Sequence, residues 1–315
     1  MKILIVSSYI FGYMEYLKPA LESKGITAEF VYHGKAPLDF KYKSKWHHLV
    51  AFIKKTVGFN TKMEFRDRAL KSHLSHKSFD SILVIHPQYL ANQTHVFLKS
   101  ITNKYITFLF DSLAKMPRQM SVLHHFDTVF SYEKSDCEKH DFKFLTNFIP
   151  VSEKPTTLVK PRYDFFNIST RDERFPKLLN IAKYLKENSI KYEFLVHTKN
   201  SKEIEYVKTI KRKIESQEVN CEISQSLGMV DIQREDQTGL SFRVMESLGF
   251  EKKLLTTNKD VINYDFYNPN NILVVDLQNI LIPEQFLKTP YQKLPPEIYN
   301  KYTTTAWVNT VFLEN

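Results

Sequence analysis

Apolar residues in the first half of the chain fall in short, nearly unbroken runs separated by stretches of helical spacing. Lys2–Ser7, Thr27–Tyr32, Ser81–Ile85, Tyr105–Phe110, Thr128–Tyr132 and Phe144–Ile149 each predict a strand, and Phe11–Ser23, closed by Gly25, predicts a helix. Such runs do not alternate apolar with polar, so both sheet faces must be covered, as in parallel strands joined by helices. Residues 150–162 carry three prolines and no apolar periodicity, which reads as a linker. The pattern then restarts. Tyr163–Ile168, Tyr192–His197, Val219–Ile223, Met229–Ile232, Lys253–Thr257 and Ile272–Val275 read as strands. Phe175–Asn188 and Glu203–Ser216 read as helices, and Pro290–Phe312 as one or two closing helices. The expected class is α/β, with two doubly wound, Rossmann-like parallel-sheet domains over residues 1–152 and 163–289 and a helical segment over 290–315.

Glycine sharpens one stretch. Only 7 of 315 residues are glycine, yet Gly239 and Gly249 bracket a single amphipathic helix predicted over Phe242–Leu248. A glycine at a helix entrance lets the backbone approach a ligand, and the first N–H groups of a helix attract anions. Thr238, Gly239 and Leu240 lead into that helix. Arg243 is placed to grip a phosphate with two bonds, and Glu246 to accept ribose hydroxyls, unless the two simply pair as an i,i+3 ion pair. Thr256 and Thr257 sit at a strand's C-terminal end, where open α/β sheets bind ligands. Ser169, Thr170, Arg171 and Arg174 form a second phosphate-competent loop, unless Thr170 and Glu173 form a capping box. Tyr264–Tyr267 either stacks on a base or packs internally.

These residues carry a resemblance. Asp231, Gln237-Thr238-Gly239-Leu240, Arg243, Glu246 and Lys252–Asn258 resemble the donor-binding half of a small bacterial family of GT-B glycosyltransferases, which make lipopolysaccharide core, capsule or related surface glycans. Phe108–Pro117 and Phe126–Leu145 resemble the same family's first domain. The resemblance implies two domains facing each other across a cleft, a nucleotide-sugar held mainly by the second, and a C-terminal segment crossing back to the first. It implies transfer of a sugar to a lipid-linked or glycan acceptor, with the nucleotide-sugar as co-substrate and no cofactor. The second glutamate that retaining enzymes of the largest GT-B class place eight residues on would fall at Leu254, which leaves the stereochemical outcome open. Two alternatives stand beside this reading: a Kdo-type transferase using a CMP-linked ulosonic acid, and a non-catalytic nucleotide- or sugar-binding protein.

An inverting transfer needs a general base at a strand's C-terminal end in the first domain. Asp111 fits best, His86 second and Glu133 third; an N-cap or turn role competes for Asp111, and a core role for His86. Ser7, Ser8 and Tyr9 end the first strand on the acceptor side. No Asp-x-Asp pattern stands at a strand end, so no metal is expected, and helix N-termini and basic side chains would carry the leaving diphosphate's charge.

Charge then adds a partner. A formal net charge of +9 calls for an anionic one. Lys41–Lys71, within an insertion over 41–72, concentrates that charge while Trp46, Leu49, Val50, Phe52, Ile53 and Val57 interrupt it at helical spacing. That composition suits a helix lying on an anionic membrane, or a basic face packed on its own domain. No RNP, KH or zinc-knuckle pattern accompanies it, so nucleic acid is not expected. No apolar run approaches the roughly 20 residues of a membrane span. The opening KILIVSS is too short and polar for a signal peptide, and 2 cysteines in ordinary contexts imply no disulfide framework. The expected location is cytoplasmic, peripheral to the inner membrane.

Overall fold

The computed structural model describes residues 1–9, 12–56, 58–151, 160–199 and 203–314. Phe11, Val57 and residues 152–159 of the expected linker therefore lie outside the described residues. The chain divides into two compact units, Met1–Leu145 with Val308–Asn315, and Thr146–Trp307.

The first unit runs β1 (Lys2–Ser8), α1 (Lys18–Ser23), β2 (Thr27–His33), α2 (Lys45–Thr56), α3 (Thr61–His73), β3 (Phe79–Ile85), α4 (Asn92–Ser100), β4 (Thr102–Leu109), α5 (Met120–Leu123), β5 (Thr128–Ser131), α6 (Lys134–His140) and β6 (Lys143–Phe144). Its sheet is parallel in the order β2-β1-β3-β4-β5-β6. Ile3–Val6 and Ile82–Ile85 are fully buried, as the unbroken apolar runs require. The chain winds one way from β1 to β2 and the other way from β3 onward. The C-terminal ends of β1 and β3 thus flank the switch point, the crevice where such sheets bind ligands.

The second unit runs β7 (Tyr163–Thr170), α7 (Phe175–Glu187), β8 (Tyr192–His197), β9 (Lys208–Ile210), α8 (Ser216–Ser224), β10 (Ser226–Asp231), α9 (Phe242–Gly249), β11 (Lys253–Thr256) and β12 (Ile272–Val274). Its parallel sheet has the order β12-β11-β10-β7-β8-β9, the Rossmann order, with its switch point between β7 and β10.

Three expected elements differ. The helix expected over Glu203–Ser216 is a three-residue strand, β9, and a helix begins only at Ser216. The strand expected over Val219–Ile223 lies inside α8. Val219 and Ile223 are four apart, a spacing that fits one helix face as well as one strand face. The strand expected over Phe144–Ile149 shrinks to Lys143–Phe144, after which Ile149 makes an isolated bridge to Thr303.

Gly249, at the exit of the predicted helix, is fixed by packing. It is the last residue of α9 and packs against Ile149 and Val151, where an added Cβ would fall 2.6 Å from the Ile149 Cγ2 and closer still to Val151. Close approach, not backbone conformation, requires glycine there.

Candidate functional site

The second unit gathers its polar side chains at the β7/β10 switch point. Asp231 ends β10 and is buried. Its Oδ1 accepts from the Ser241 hydroxyl (2.7 Å) and its Oδ2 from the Thr256 hydroxyl (2.9 Å). Ser241 is the N-cap of α9 and accepts from the Arg243 backbone N–H at 3.1 Å. A buried aspartate thus fixes the cap that fixes the helix entrance.

The loop between β10 and α9 is held from within. Gln233 donates its side-chain amide to the carbonyls of Gln237 (2.6 Å) and Gly239 (3.3 Å), while the Asn258 amide donates to the Thr238 carbonyl at 2.9 Å. Thr257 accepts from the Gln233 backbone N–H at 2.8 Å. Thr256 and Thr257, expected to touch a donor, use their hydroxyls to stake this loop. Leu240 is buried in the core beneath it.

Arg243 and Glu246 meet as a pair, and the pair is not on the surface. Arg243 Nη1 donates to Glu246 Oε2 at 2.6 Å with side-chain exposures of 16% and 7%, and Arg243 Nη2 donates to the Ile168 carbonyl of β7 at 3.1 Å. An ion pair at that depth contributes little net stability, because desolvation offsets its attraction. Its value lies in placing a guanidinium and a carboxylate beside the switch point.

The loop after β7 adds a second charged group. Asp172 accepts from the Arg174 backbone N–H (3.0 Å) and guanidinium (2.7 Å), and from Arg234 at 2.8 Å. Arg234 also pairs with Glu173. Burial pushes the Asp172 carboxyl up, but Arg174 and Arg234 outweigh it and hold the group below the ordinary range. The capping box of Thr170 and Glu173 does not form; Arg174 is the N-cap of α7, and Asp172 takes its N–H. Arg171 is exposed with its guanidinium over the Phe175 ring at 5.0 Å, and Ser169 is half-buried on β7. The expected tyrosine platform packs internally: Tyr264 stacks on Phe266, Phe266 meets Tyr302 edge-on, and Asp265 accepts from Lys301 and from the Tyr302 hydroxyl.

In the first unit, two candidate bases meet. His86 follows β3 and Asp111 follows β4. His86 Nε2 lies 3.4 Å from Asp111 Oδ2, and since a carboxylate only accepts, Nε2 carries the proton. His86 is 8% exposed at its side chain and Asp111 30%, so the carboxylate faces outward with the imidazole behind it. The His86 backbone lies in the left-handed region (φ 57°, ψ 60°), a strained setting that tends to cluster at functional sites. His95 holds the next residue in place, its Nε2 donating to the Pro87 carbonyl at 3.0 Å while Nδ1 accepts from the Tyr105 hydroxyl at 2.8 Å. Glu133, the third candidate, is buried as the N-cap of α6. Ser7 is buried and donates to the Ser8 carbonyl; Tyr9 is exposed beneath the Lys35 ammonium.

No protein-family model and no curated protein sequence matches the chain. Solved structures do. The UDP-GlcNAc 2-epimerase of Methanocaldococcus jannaschii in complex with UDP-GlcNAc and UDP matches with a TM-score of 0.56 at 11% identity, over 98% of this chain and 99% of its own. AviGT4, a glycosyltransferase involved in avilamycin A biosynthesis, gives 0.56 at 8% identity over 98% and 95%. Arabidopsis thaliana UGT89C1 complexed with UDP-L-rhamnose gives 0.52 at 9% identity over 97% and 96%. The fold is GT-B.

Within this GT-B fold, sequence reasoning missed the loop-staking roles of Gln233 and Asn258, the partners Asp172 and Arg234 of Arg174, and His33 near His86. His33 ends β2 and His86 follows β3, so the strand-end rule could have found it. Arg66 belongs to the basic stretch Lys41–Lys71, whose composition called for an anionic partner without placing this side chain beside His86.

Proposed function

We propose that this protein is a glycosyltransferase that moves a sugar from a nucleoside-diphosphate donor to a hydroxyl of a lipid-linked, lipopolysaccharide or capsule glycan. The observation that carries the reading is the switch point of the second unit. There the Asp231-fixed helix entrance and the buried Arg243–Glu246 pair stand at the place where Rossmann sheets bind nucleotides. The Gly239 loop and α9 receive the diphosphate, with Arg243 and the exposed Arg171 supplying positive charge. Glu246 accepts ribose hydroxyls.

For an inverting transfer, Asp111 takes the proton of the acceptor hydroxyl while its oxygen bonds to the anomeric carbon. The bond from that carbon to the diphosphate breaks, and the nucleoside diphosphate leaves with both electrons. His86, behind Asp111, steadies its charge and is a positioning residue.

The acceptor reading includes an anionic membrane surface. Helix α2 buries only Ala51 and exposes Trp46, Leu49, Val50, Phe52 and Ile53, flanked by Lys45, Lys54 and Lys55. An apolar stripe edged with lysines suits the boundary of an anionic bilayer. Among the described residues, no helix is long and apolar enough to cross a membrane.

The test is a thermal-shift screen of UDP-, GDP-, ADP-, dTDP- and CMP-sugars, since a ligand that binds the folded state raises the melting temperature by mass action. One nucleoside-diphosphate sugar should stabilise the protein; silence from all of them removes the donor site. Stabilisation by a CMP-sugar alone moves the reading to a transferase of CMP-linked ulosonic acids. With that donor, Asp111→Asn should retain binding and lose about 10²–10⁴-fold in turnover. Unchanged turnover removes Asp111 as the base.

A further inference from the structure

The first unit holds a cluster of which the proposed transfer uses only His86. His33 ends β2, Arg66 comes from α3, and Gln88 and Tyr89 follow His86. Tyr89 is the hub: its ring centroid lies 6.2 Å from that of His33 and 5.6 Å from that of His86, with the Arg66 guanidinium carbon 6.0 Å away. Arg66 Nη1 also lies 3.4 Å from the Tyr89 carbonyl.

What distinguishes the cluster is how many of its buried polar atoms find no partner in the protein. These are both ring nitrogens of His33, Nδ1 of His86, Nε of Arg66, and the amide nitrogen and oxygen of Gln88. His33 is 9% exposed and His86 6%. Buried donors are costly when unpaired, and proteins almost always pair them. Arg66 brings a positive charge to the group. Asp111, against His86, is the one carboxylate that pairs with any of these side chains among the described residues. Burial, with Arg66 and His86 beside it, lowers His33 to about 3. Tyr89 is itself exposed, so the cluster opens to solvent at its edge.

We propose that His33, Arg66, His86 and Gln88 form a binding site for a phosphate monoester, carried by the sugar acceptor next to the hydroxyl that Asp111 deprotonates. The chemistry fits an oxyanion. Arg66 offers an Nε–H, neutral His33 one ring N–H and Gln88 an amide, and the unpartnered Nδ1 of His86 lines the same place. The site joins two strand ends of one sheet, those of β2 and β3, to the basic insertion, which gives the insertion a role in recognising the acceptor. That the phosphate belongs to an acceptor rests on the glycosyltransferase reading; the anion site itself does not.

The probes are inorganic phosphate, glucose 6-phosphate, glucose and glucuronate, with chloride at matched ionic strength as control. The readout is the imidazole nitrogen resonances of His33 and His86, followed by NMR on the full chain. Phosphate and glucose 6-phosphate should shift both histidines saturably, while glucose leaves them unmoved. Arg66→Gln and His33→Gln should each weaken binding about tenfold or more, as expected for loss of a charge-assisted or buried contact. Lys62→Gln, which removes an equal charge from the exposed start of α3, should not. A wild-type protein whose two histidines ignore phosphate, or answer only to glucuronate, overturns the proposal. So does equal weakening by Lys62→Gln, which would mean a diffuse field. If Arg66→Gln fails to fold, His33→Gln decides. Stabilisation by a nucleotide-sugar, measured on the same variants, should be unchanged. Loss of phosphate binding with the donor response intact therefore refutes or supports this site alone.

Discussion

The Arg243–Glu246 pair allows stability and function to be separated in one experiment. At a 2.6 Å contact and an effective dielectric near 20, the gross attraction is about 6 kcal/mol. Most of this is offset by desolvating two side chains that are 16% and 7% exposed. Removing one partner forfeits the attraction and keeps the desolvation of the other. Arg243→Ala should therefore cost about 3–5 kcal/mol, since it takes the guanidinium away from a buried carboxylate and frees the Ile168 carbonyl. For a unit of this size that lowers the melting temperature by roughly 6–20 °C. Arg243→Met combined with Glu246→Leu removes both charges and fills the space, and should cost within about 2 kcal/mol of the native pair. Calorimetry on the three proteins gives the stabilities, and titration with the stabilising nucleotide-sugar gives the function. The double variant should fold yet lose donor binding. If Arg243→Ala is no less stable than the double variant, the pair is not the buried, mutually dependent unit described. If the double variant still binds the donor, the pair is structural only.

Three further outcomes follow from the packing and charge. Gly249→Ala drives a methyl group into Ile149 and Val151 and should destabilise the second unit by about 1–3 kcal/mol, read by thermal denaturation; full native stability would refute the close contact. His33 is lowered to about 3 and His95 to about 4, both chiefly by burial, so the folded state resists protons that the unfolded state accepts near 6.5. Stability should thus fall as pH drops below about 6.5, by about 2–3 kcal/mol between pH 7.5 and 5.5 in denaturant titrations; a flat profile there would show that these rings are not buried neutral. Replacing Trp46, Phe52 and Ile53 by serine should abolish sedimentation with vesicles containing anionic lipid while leaving the melting temperature within about 2 °C, since all three side chains are exposed. Persistent sedimentation would mean that α2 is not the contact.

How much was legible in the sequence depended on whether local pattern and tertiary context agreed. Tyr192–His197 is a strand with the expected bounds, because a short apolar run buried on both sides admits few other structures. Val219–Ile223 failed for the opposite reason, its spacing serving a helix face and a strand face equally. Around α9, the residue types pointed to the right place, but their partners were invisible. Ser241 is read as a loop residue until Asp231 is seen beneath it, and Gln233 gives no sign that its amide spans the loop. The His86–Asp111 contact was latent in two separate strand-end residues. Only the β3–β4 register makes them neighbours.

The staked loop between β10 and α9 bears on binding kinetics. Three successive carbonyls, those of Gln237, Thr238 and Gly239, are already taken by the amides of Gln233 and Asn258. A loop ordered before its ligand arrives loses little further conformational freedom on binding, so its backbone adds no folding step to the encounter. Capture of an anion there would then be limited by diffusion and charge attraction, and release by the strength of the contacts alone. Cutting a stake, as in Asn258→Ala, would slow the first of these rates as well as hasten the second.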